Sequence, residues 1–417
     1  MSRTFQAFRS YNYRLFWFGQ LVSLTGTWMQ TIGQAWLVLQ LTSSPLAVGI
    51  VTALQTLPIL LFTLFGGVFA DRVPKRKFLL LTQVVSAMQA LVLGVLVLTN
   101  TVQLWEVYVL ALILGIINAF DNPTRQAFVV ELVGREDLPN AVALNSSLFN
   151  AARIVGPAVG GLLIAAVGIA TAFLLNAASF IAPIIALLLM RPDKFFNVPT
   201  PQRGNVFRQI GEGLSFVRYT VPAFIVVIMM GVLGTFGYNF SVTLPLIAEF
   251  VLHTSAAGFG LLTAFMGVGS LLGALLLANR SQATFPLLLG SSVLFAIFLA
   301  AVAFSSWLPT TAVLLILLGL ASISYTATSN TLLQLNAPDH LRGRVMSIYF
   351  LLFAGSTPIG GFITGWLAER IGVPETLLLE AALCLIGVLA GIRYYMLHRQ
   401  QIPAEQRVRL LGATGGK

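Results

Sequence analysis

Twelve apolar runs, each close to the ~20 residues a helix needs to cross a bilayer, leave this chain almost no freedom of architecture. They fall at about 15–41, 46–70, 78–99, 104–124, 142–166, 169–190, 222–248, 257–279, 285–305, 309–333, 346–368 and 376–397. Only helices and closed barrels satisfy every backbone polar group in lipid. A barrel needs alternating ten-residue strands, and these runs do not alternate. Of the 417 residues, 9% are charged and 57% hydrophobic. A soluble domain carries about 25% charged residues. The fold expected is therefore an all-α membrane protein with twelve transmembrane helices.

The placement of Lys and Arg orients the bundle. With the N-terminus inside, only Arg370 of the 24 cations falls in an outer loop, Arg153 falls within a span and Arg393 lies at the inner end of the last one. A wrong helix count would scramble that segregation, so both termini are expected in the cytoplasm of a cell-membrane protein. The net charge of +10 is then a topology signal facing anionic lipid. Nucleic acid is excluded as a partner, because no soluble domain offers a basic face. No cleavable signal peptide is expected, since the basic start lacks a short apolar core followed by small residues. Cys384 is the single cysteine and His253, His340 and His398 are scattered, so neither a disulfide nor a metal site is expected. No catalytic motif is present, and the chain is not expected to be an enzyme.

The longest polar break splits the chain into a six-helix bundle at 1–190, a cytoplasmic linker at 191–221, a second six-helix bundle at 222–400 and a tail at 401–417. Within the linker, Phe207–Arg218 reads either as an amphipathic helix on the inner surface or as a solvated connection. The halves repeat weakly: Gly156-Pro157-Ala-Val-Gly160-Gly161 aligns with Gly360-Gly361-Phe-Ile-Thr364-Gly365, and Ser43–Gly49 with Thr254–Gly260. Two six-helix halves around a mid-membrane site are a transporter architecture.

Polar residues recur at helical spacing in four of the spans. Helix one carries Ser23, Thr27, Gln30 and Gln34; helix four carries Asn118, Asp121, Asn122 and Arg125. Helix seven has Thr235, Tyr238, Asn239 and Thr243, and helix ten has Ser322, Tyr325, Thr326 and Ser329. Any one stripe is explained by hydrogen bonds between helices; four together favour a wet cavity, with Trp28, Trp36, Tyr238 and Tyr325 available to stack on a substrate, Trp36 reading also as an interface anchor. Arg153 reads either as a structural cation held by carbonyls or by Asn150, or as a group that holds an anionic substrate or modulates a proton carrier. Glu380, about a turn into the last span, reads as a rim residue. Gly156, Pro157, Gly160 and Gly161 are small residues that let helices approach closely.

The break between helices two and three, Gly67-Val-Phe-Ala-Asp71-Arg72-Val-Pro74-Lys75-Arg76, resembles the signature loop of the major facilitator superfamily. By that resemblance Gly67, Asp71, Arg72, Lys75 and Arg76 form a cytoplasmic gating motif, with Asp121 the expected partner of Lys75 or Arg76. Pro74 stands where the family usually has glycine. Helices one, four, seven and ten line the central cavity in the superfamily. This implies that Thr27, Gln30, Gln34, Asn118, Arg153, Tyr238, Asn239, Tyr325 and Ser329 line the substrate path here. The stretches Asn122–Val133, Arg135–Asn145 and Asn150–Pro157 are similar to the enterobactin-exporter and macrolide-efflux branch. Gly156–Gly161 also resembles the C-terminal part of an exporter motif in helix five. The resemblance implies a monomeric secondary exporter, an antiporter of amphipathic small molecules such as siderophores, drugs or macrolides, working by alternating access. It needs no organic cofactor, and a proton gradient supplies the energy. Asp121 and Glu131 are the candidate proton-coupling acids. An importer of a small solute and a lipid flippase are the alternatives.

Overall fold

The computed structural model describes residues 3–70, 72–196, 206–278 and 283–402. Every regular element among them is helical: α1 (Tyr11–Thr42), α2 (Pro45–Ala70), α3 (Lys75–Leu98), α4 (Leu104–Val133), α5 (Leu138–Val167), α6 (Ile169–Ser179), α7 (Ile181–Leu189), α8 (Val206–Tyr219), α9 (Val221–Phe236), α10 (Phe240–Leu246), α11 (Ala256–Ala278), α12 (Phe285–Ala303), α13 (Leu308–Asn336), α14 (Asp339–Ile371) and α15 (Val373–His398). Among the described residues eleven segments are long and apolar enough to cross a membrane, with α6 and α7 joined as one and α9 and α10 joined with the π turn Ile247–Val251 as another. The twelfth is α1, whose 32 residues are ample in length. Its glutamines and threonines, with Ser23, lower its hydropathy.

The chain divides into two compact units. The first comprises Met1–Pro201 with His253–Ala264; the second comprises Gln202–Leu252 with Phe265–Lys417. In the first, α1 packs on α5, α6 and α7, α2 on α4, and α3 on α6 and α4; in the second, α12 packs on α13 and α15, while α9 lies between α14 and α15. The same glycine device recurs in both. A methyl group at Gly115 of α4 would lie 2.6 Å from the Gln55 carbonyl oxygen of α2, and one at Gly319 of α13 would strike the Met266 carbonyl of α11. Helices that touch backbone to backbone in lipid need such residues, because dispersion replaces the hydrophobic drive between them.

Phe207–Arg218 lies within a helix, α8, rather than an irregular connection. It packs on α9 and α14, and Glu212 pairs with Arg344 of α14. The seventh span, expected to run unbroken over 222–248, is interrupted at Gly237–Asn239. The Asn239 side-chain amide donates to the Thr235 carbonyl at 2.7 Å, the acceptor its own N–H would use in a continuous helix. A side chain that substitutes for the backbone in this way is one of the few causes of a sharp break.

Candidate functional site

A cavity of about 360 Å³ opens within the first unit. It is lined from α1 by Gln20, Ser23, Thr27, Trp28 and Thr31, from α3 by Gln83 and Ser86, from α4 by Asn118, Asp121, Asn122, Arg125 and Gln126, and from α5 by Asn145 and Phe149. Trp28 and Phe149 meet edge to face with centroids 5.8 Å apart, an arrangement that suits aromatic pairs. The rest of the lining mixes these amides, hydroxyls and the Asp121–Arg125 pair with apolar side chains, Phe16, Leu24, Leu114, Val129, Leu148 and Phe180.

Asp121 is the electrostatic centre. It is 2% exposed and accepts from Thr82 Oγ1 at 2.5 Å and Gln83 Nε2 at 3.2 Å from α3, and from Arg125 Nε at 2.9 Å one turn along its own helix. The carboxylate thus carries its counter-charge with it, which removes most of the penalty of burying an ion. Donation by Gln83 fixes the orientation of that amide. Its Oε1, like that of Gln20, is buried without a partner among the described residues. Both side chains line the cavity. Two buried carbonyl acceptors left unpaired cost stability, and together they form the part of this wall suited to a ligand's N–H or O–H donors.

Of the expected cavity residues, Thr27 and Asn118 line this space. Gln30 and Gln34 are buried deeper and are used in helix packing. Gln30 donates to Gln89 Oε1 at 3.0 Å and accepts from Asn176 Nδ2 at 2.6 Å, and Gln34 accepts from Gln55 Nε2 at 2.8 Å. The glutamines of α1 therefore divide by position, with Gln20 facing the cavity and Gln30 and Gln34 bonded to neighbouring helices. Arg153 is half-buried on α5, three residues before the glycine that packs on α1. A methyl at Gly156 would sit 2.5 Å from Trp28 Cβ, and one at Gly161 would sit 2.5 Å from the Ala256 carbonyl oxygen. Gly160 lies against Met29 and the Pro157 carbonyl against Gly260.

The expected residues of the second half sit in a different setting. Tyr238 donates to the Ser322 carbonyl at 2.8 Å and stacks on Phe295 at 5.1 Å. Tyr325 and Ser329 are fully buried, and their hydroxyls, like that of Thr328, meet no hydrogen-bond partner within bonding geometry among the described residues. Asn239 is 1% exposed at the break between α9 and α10. Glu380, expected at the rim, is instead 1% exposed and accepts from Thr364 of α14. It lies seven residues inside the start of α15, on the face turned to α14 rather than to lipid.

The expected pairing of the basic loop also changes. Lys75 bonds to Glu131 at 2.8 Å, while Arg76 donates to the Leu187 and Leu188 carbonyls at 2.7 and 2.9 Å, closing the C-terminal end of α7. Asp121 is ten residues from Glu131, about 15 Å along the helix, and is already bound to Arg125. Gly67 lies in α2 and Arg72 in the following turn; Asp71 lies outside the described residues.

The polar wall of α3 went unread in the sequence, although Thr82, Gln83, Ser86 and Gln89 recur at spacings of three and four. Gln20 extends the α1 stripe by one turn in the same way. Asn145 carried no such signal.

A helical bundle with a polar cavity and an interrupted helix is the architecture of a membrane transporter. A solved structure of a bacterial homologue of the human lysosomal transporter Spinster shares the fold, with a TM-score of 0.71 at 14% identity over 94% of this chain and 96% of that one. The family model for transmembrane secretion effectors matches residues 2–409, and the chain belongs to that family. Among its relatives, the multidrug efflux pump Tap of Mycolicibacterium fortuitum is 30% identical, covering 89% of this chain and 93% of Tap. The staphyloferrin A transporter of Staphylococcus aureus is 25% identical, covering 87% and 91%.

Proposed function

We propose that this protein exports amphipathic small molecules, siderophore-like compounds or drugs such as macrolides, across the cell membrane. The observation that carries this reading is the cavity of the first unit. Its Trp28–Phe149 wall offers apolar contact, and the unpaired carbonyls of Gln20 and Gln83 offer sites for donors. A purely apolar cavity would suit a lipid tail, and a purely polar one a sugar; a mixed one suits an amphipathic cargo. Relatives named for multidrug efflux and for a siderophore support the direction and the cargo class.

On this reading the chain acts as a monomer with both termini in the cytoplasm. Six-helix halves at 1–190 and 222–400 alternate access to the site, joined by the 191–221 linker. The loop from Gly67 to Arg76, with Asp71 as its acid, biases the cytoplasmic gate. Lys75–Glu131 and Arg76 on the end of α7 anchor its basic side to the first unit. Proton influx drives the cycle.

A susceptibility panel of macrolides, other drugs and siderophores on deletion and overexpressing strains tests the reading. Overexpression should lower intracellular accumulation of at least one compound, and deletion should raise it. An unchanged panel, or greater accumulation on overexpression, would overturn it. Replacing Asp71 with Asn should abolish that efflux at unchanged protein level; wild-type efflux in this variant would sink the gate.

A further inference from the structure

Two acids are fully buried among the described residues, Asp121 and Glu380, and they are held in opposite ways. Asp121 is paired with Arg125. Glu380, which the transport reading above leaves without a role, has no cation partner among the described residues. Its carboxyl accepts from the Thr364 hydroxyl of α14, and the neutral Asn239 side chain lies beside it.

The surroundings are unusual for a packing contact. Asn239 stands in the break between α9 and α10, and its Oδ1 is buried without a partner. Gly360, one turn before Thr364, lets α14 lie directly on that break. A methyl there would collide with the Thr235 carbonyl and come within 2.5 Å of Asn239 Oδ1. Glu380, Thr364 and Asn239 therefore meet beside the broken helix, where no fixed positive charge is present among the described residues. An isolated carboxylate at such depth is costly, so the site is complete only with a cation or a proton added. In membrane transporters, interrupted helices are where coupling ions bind.

No other group nearby competes for that role. On the same helix Cys384 lies one turn on, and α9 and α12, which pack against α15, carry no titratable side chain. The break itself contributes Tyr238, whose hydroxyl is spent on the Ser322 carbonyl. The titratable and charged groups of α14 lie toward its ends (Asp339, His340, Arg342 and Arg344 at one, Glu369 and Arg370 at the other), with Tyr349 between. The π turn contributes Glu249. Tyr349 donates to the Thr326 carbonyl.

We propose that Glu380 is the proton-carrying residue of the transport cycle, with Thr364 and Asn239 as its positioning residues. The proposal rests on the reading of the protein as a proton-driven exporter. The step is the making and breaking of one O–H bond. The Glu380 carboxylate takes a proton from water on one side of the membrane and returns it to water on the other, with no oxidation or reduction.

The test uses purified full-length protein in liposomes with radiolabelled erythromycin as probe. Wild type should accumulate erythromycin against a pH gradient and also exchange it across the membrane at equal pH, a process that moves no net proton. E380Q should keep the exchange and lose the pH-driven accumulation down to the level of protein-free liposomes. Accumulation by E380Q at the wild-type level would overturn the proposal, as would wild-type accumulation driven by sodium alone. A substrate-free arm keeps the question separate from the cargo: infrared spectra of wild type minus E380Q should show a protonated carboxyl band that disappears as the pH is raised. A band that persists at every pH marks a locked structural acid and overturns the proposal. Thr364→Val, which removes the donor and keeps the shape, should shift the pH at which the band disappears; an unshifted titration counts against the site. If wild type neither accumulates nor exchanges erythromycin, the cargo reading fails while the infrared result still decides the role of Glu380.

Discussion

The two units share a helical plan and differ in how they treat polarity. The first gathers amides and hydroxyls around a cavity and buries its acid with a cation one turn away. The second packs Tyr238 on Phe295, buries Tyr325 and holds its acid by a neutral donor. Both arrangements satisfy the backbone in lipid, so the difference is not needed for folding. Polarity in the first unit forms a container, and polarity in the second is reduced to one titratable point beside a broken helix. Weak repeats in sequence can thus diverge in role while their packing devices, such as Gly115 and Gly319, persist.

The largest expected effect separates the two acids. Asp121→Ala strands Arg125, Thr82 and Gln83 and should cost about 3 kcal/mol or more of stability. Glu380→Gln leaves no counter-ion unpaired and should leave the midpoint of chemical denaturation in detergent near wild type. Equal losses would erase the contrast between a paired and an unpaired acid. Next come the shared glycines. Gly115→Val and Gly319→Val each force a methyl into a facing carbonyl and should each cost about 1–3 kcal/mol, read as matched falls in thermal midpoint. A fall confined to one of them would show that the packing plan is not common to both units.

Gln20→Leu should have the opposite sign. It removes a buried acceptor that has no partner and should stabilise the protein by about 1 kcal/mol, while lowering efflux of whichever compound the susceptibility panel identifies. Loss of stability would mean that Gln20 is a packing residue like Gln30. The smallest effect belongs to Lys75→Ala. Its partner Glu131 is partly exposed, and such pairs contribute about 0–1 kcal/mol, so denaturation should barely change. A drop in efflux at unchanged stability would sharpen the view that the basic loop serves movement rather than folding.

Much of the candidate site was legible because helical periodicity projects directly onto a face. Ser23 and Thr27, and Asn118, Asp121 and Arg125, were readable as stripes and do meet across one cavity. The α3 stripe of Thr82, Gln83, Ser86 and Gln89 is equally periodic, but a single polar stripe reads equally well as hydrogen bonding between helices. Periodicity gives the face of a helix and not its neighbour, which is why Gln30 was grouped with the cavity and Lys75 with Asp121. The depth of Glu380 was misjudged for a related reason: distance from a helix end measures height in the membrane, whereas burial depends on what packs alongside.

By itself the sequence determined that this is a twelve-helix membrane protein of two related halves, because lipid leaves apolar runs of that length no other structure. Only the tertiary structure decided which polar residue bonds to which. It moved Lys75 to Glu131, closed Asp121 onto Arg125, broke the seventh span at Asn239 and placed Glu380 against Thr364. Partner choice depends on the rotation and height of neighbouring helices, which small residues such as Gly156, Gly161 and Gly360 set by fractions of a turn. No single helix encodes that in its own pattern.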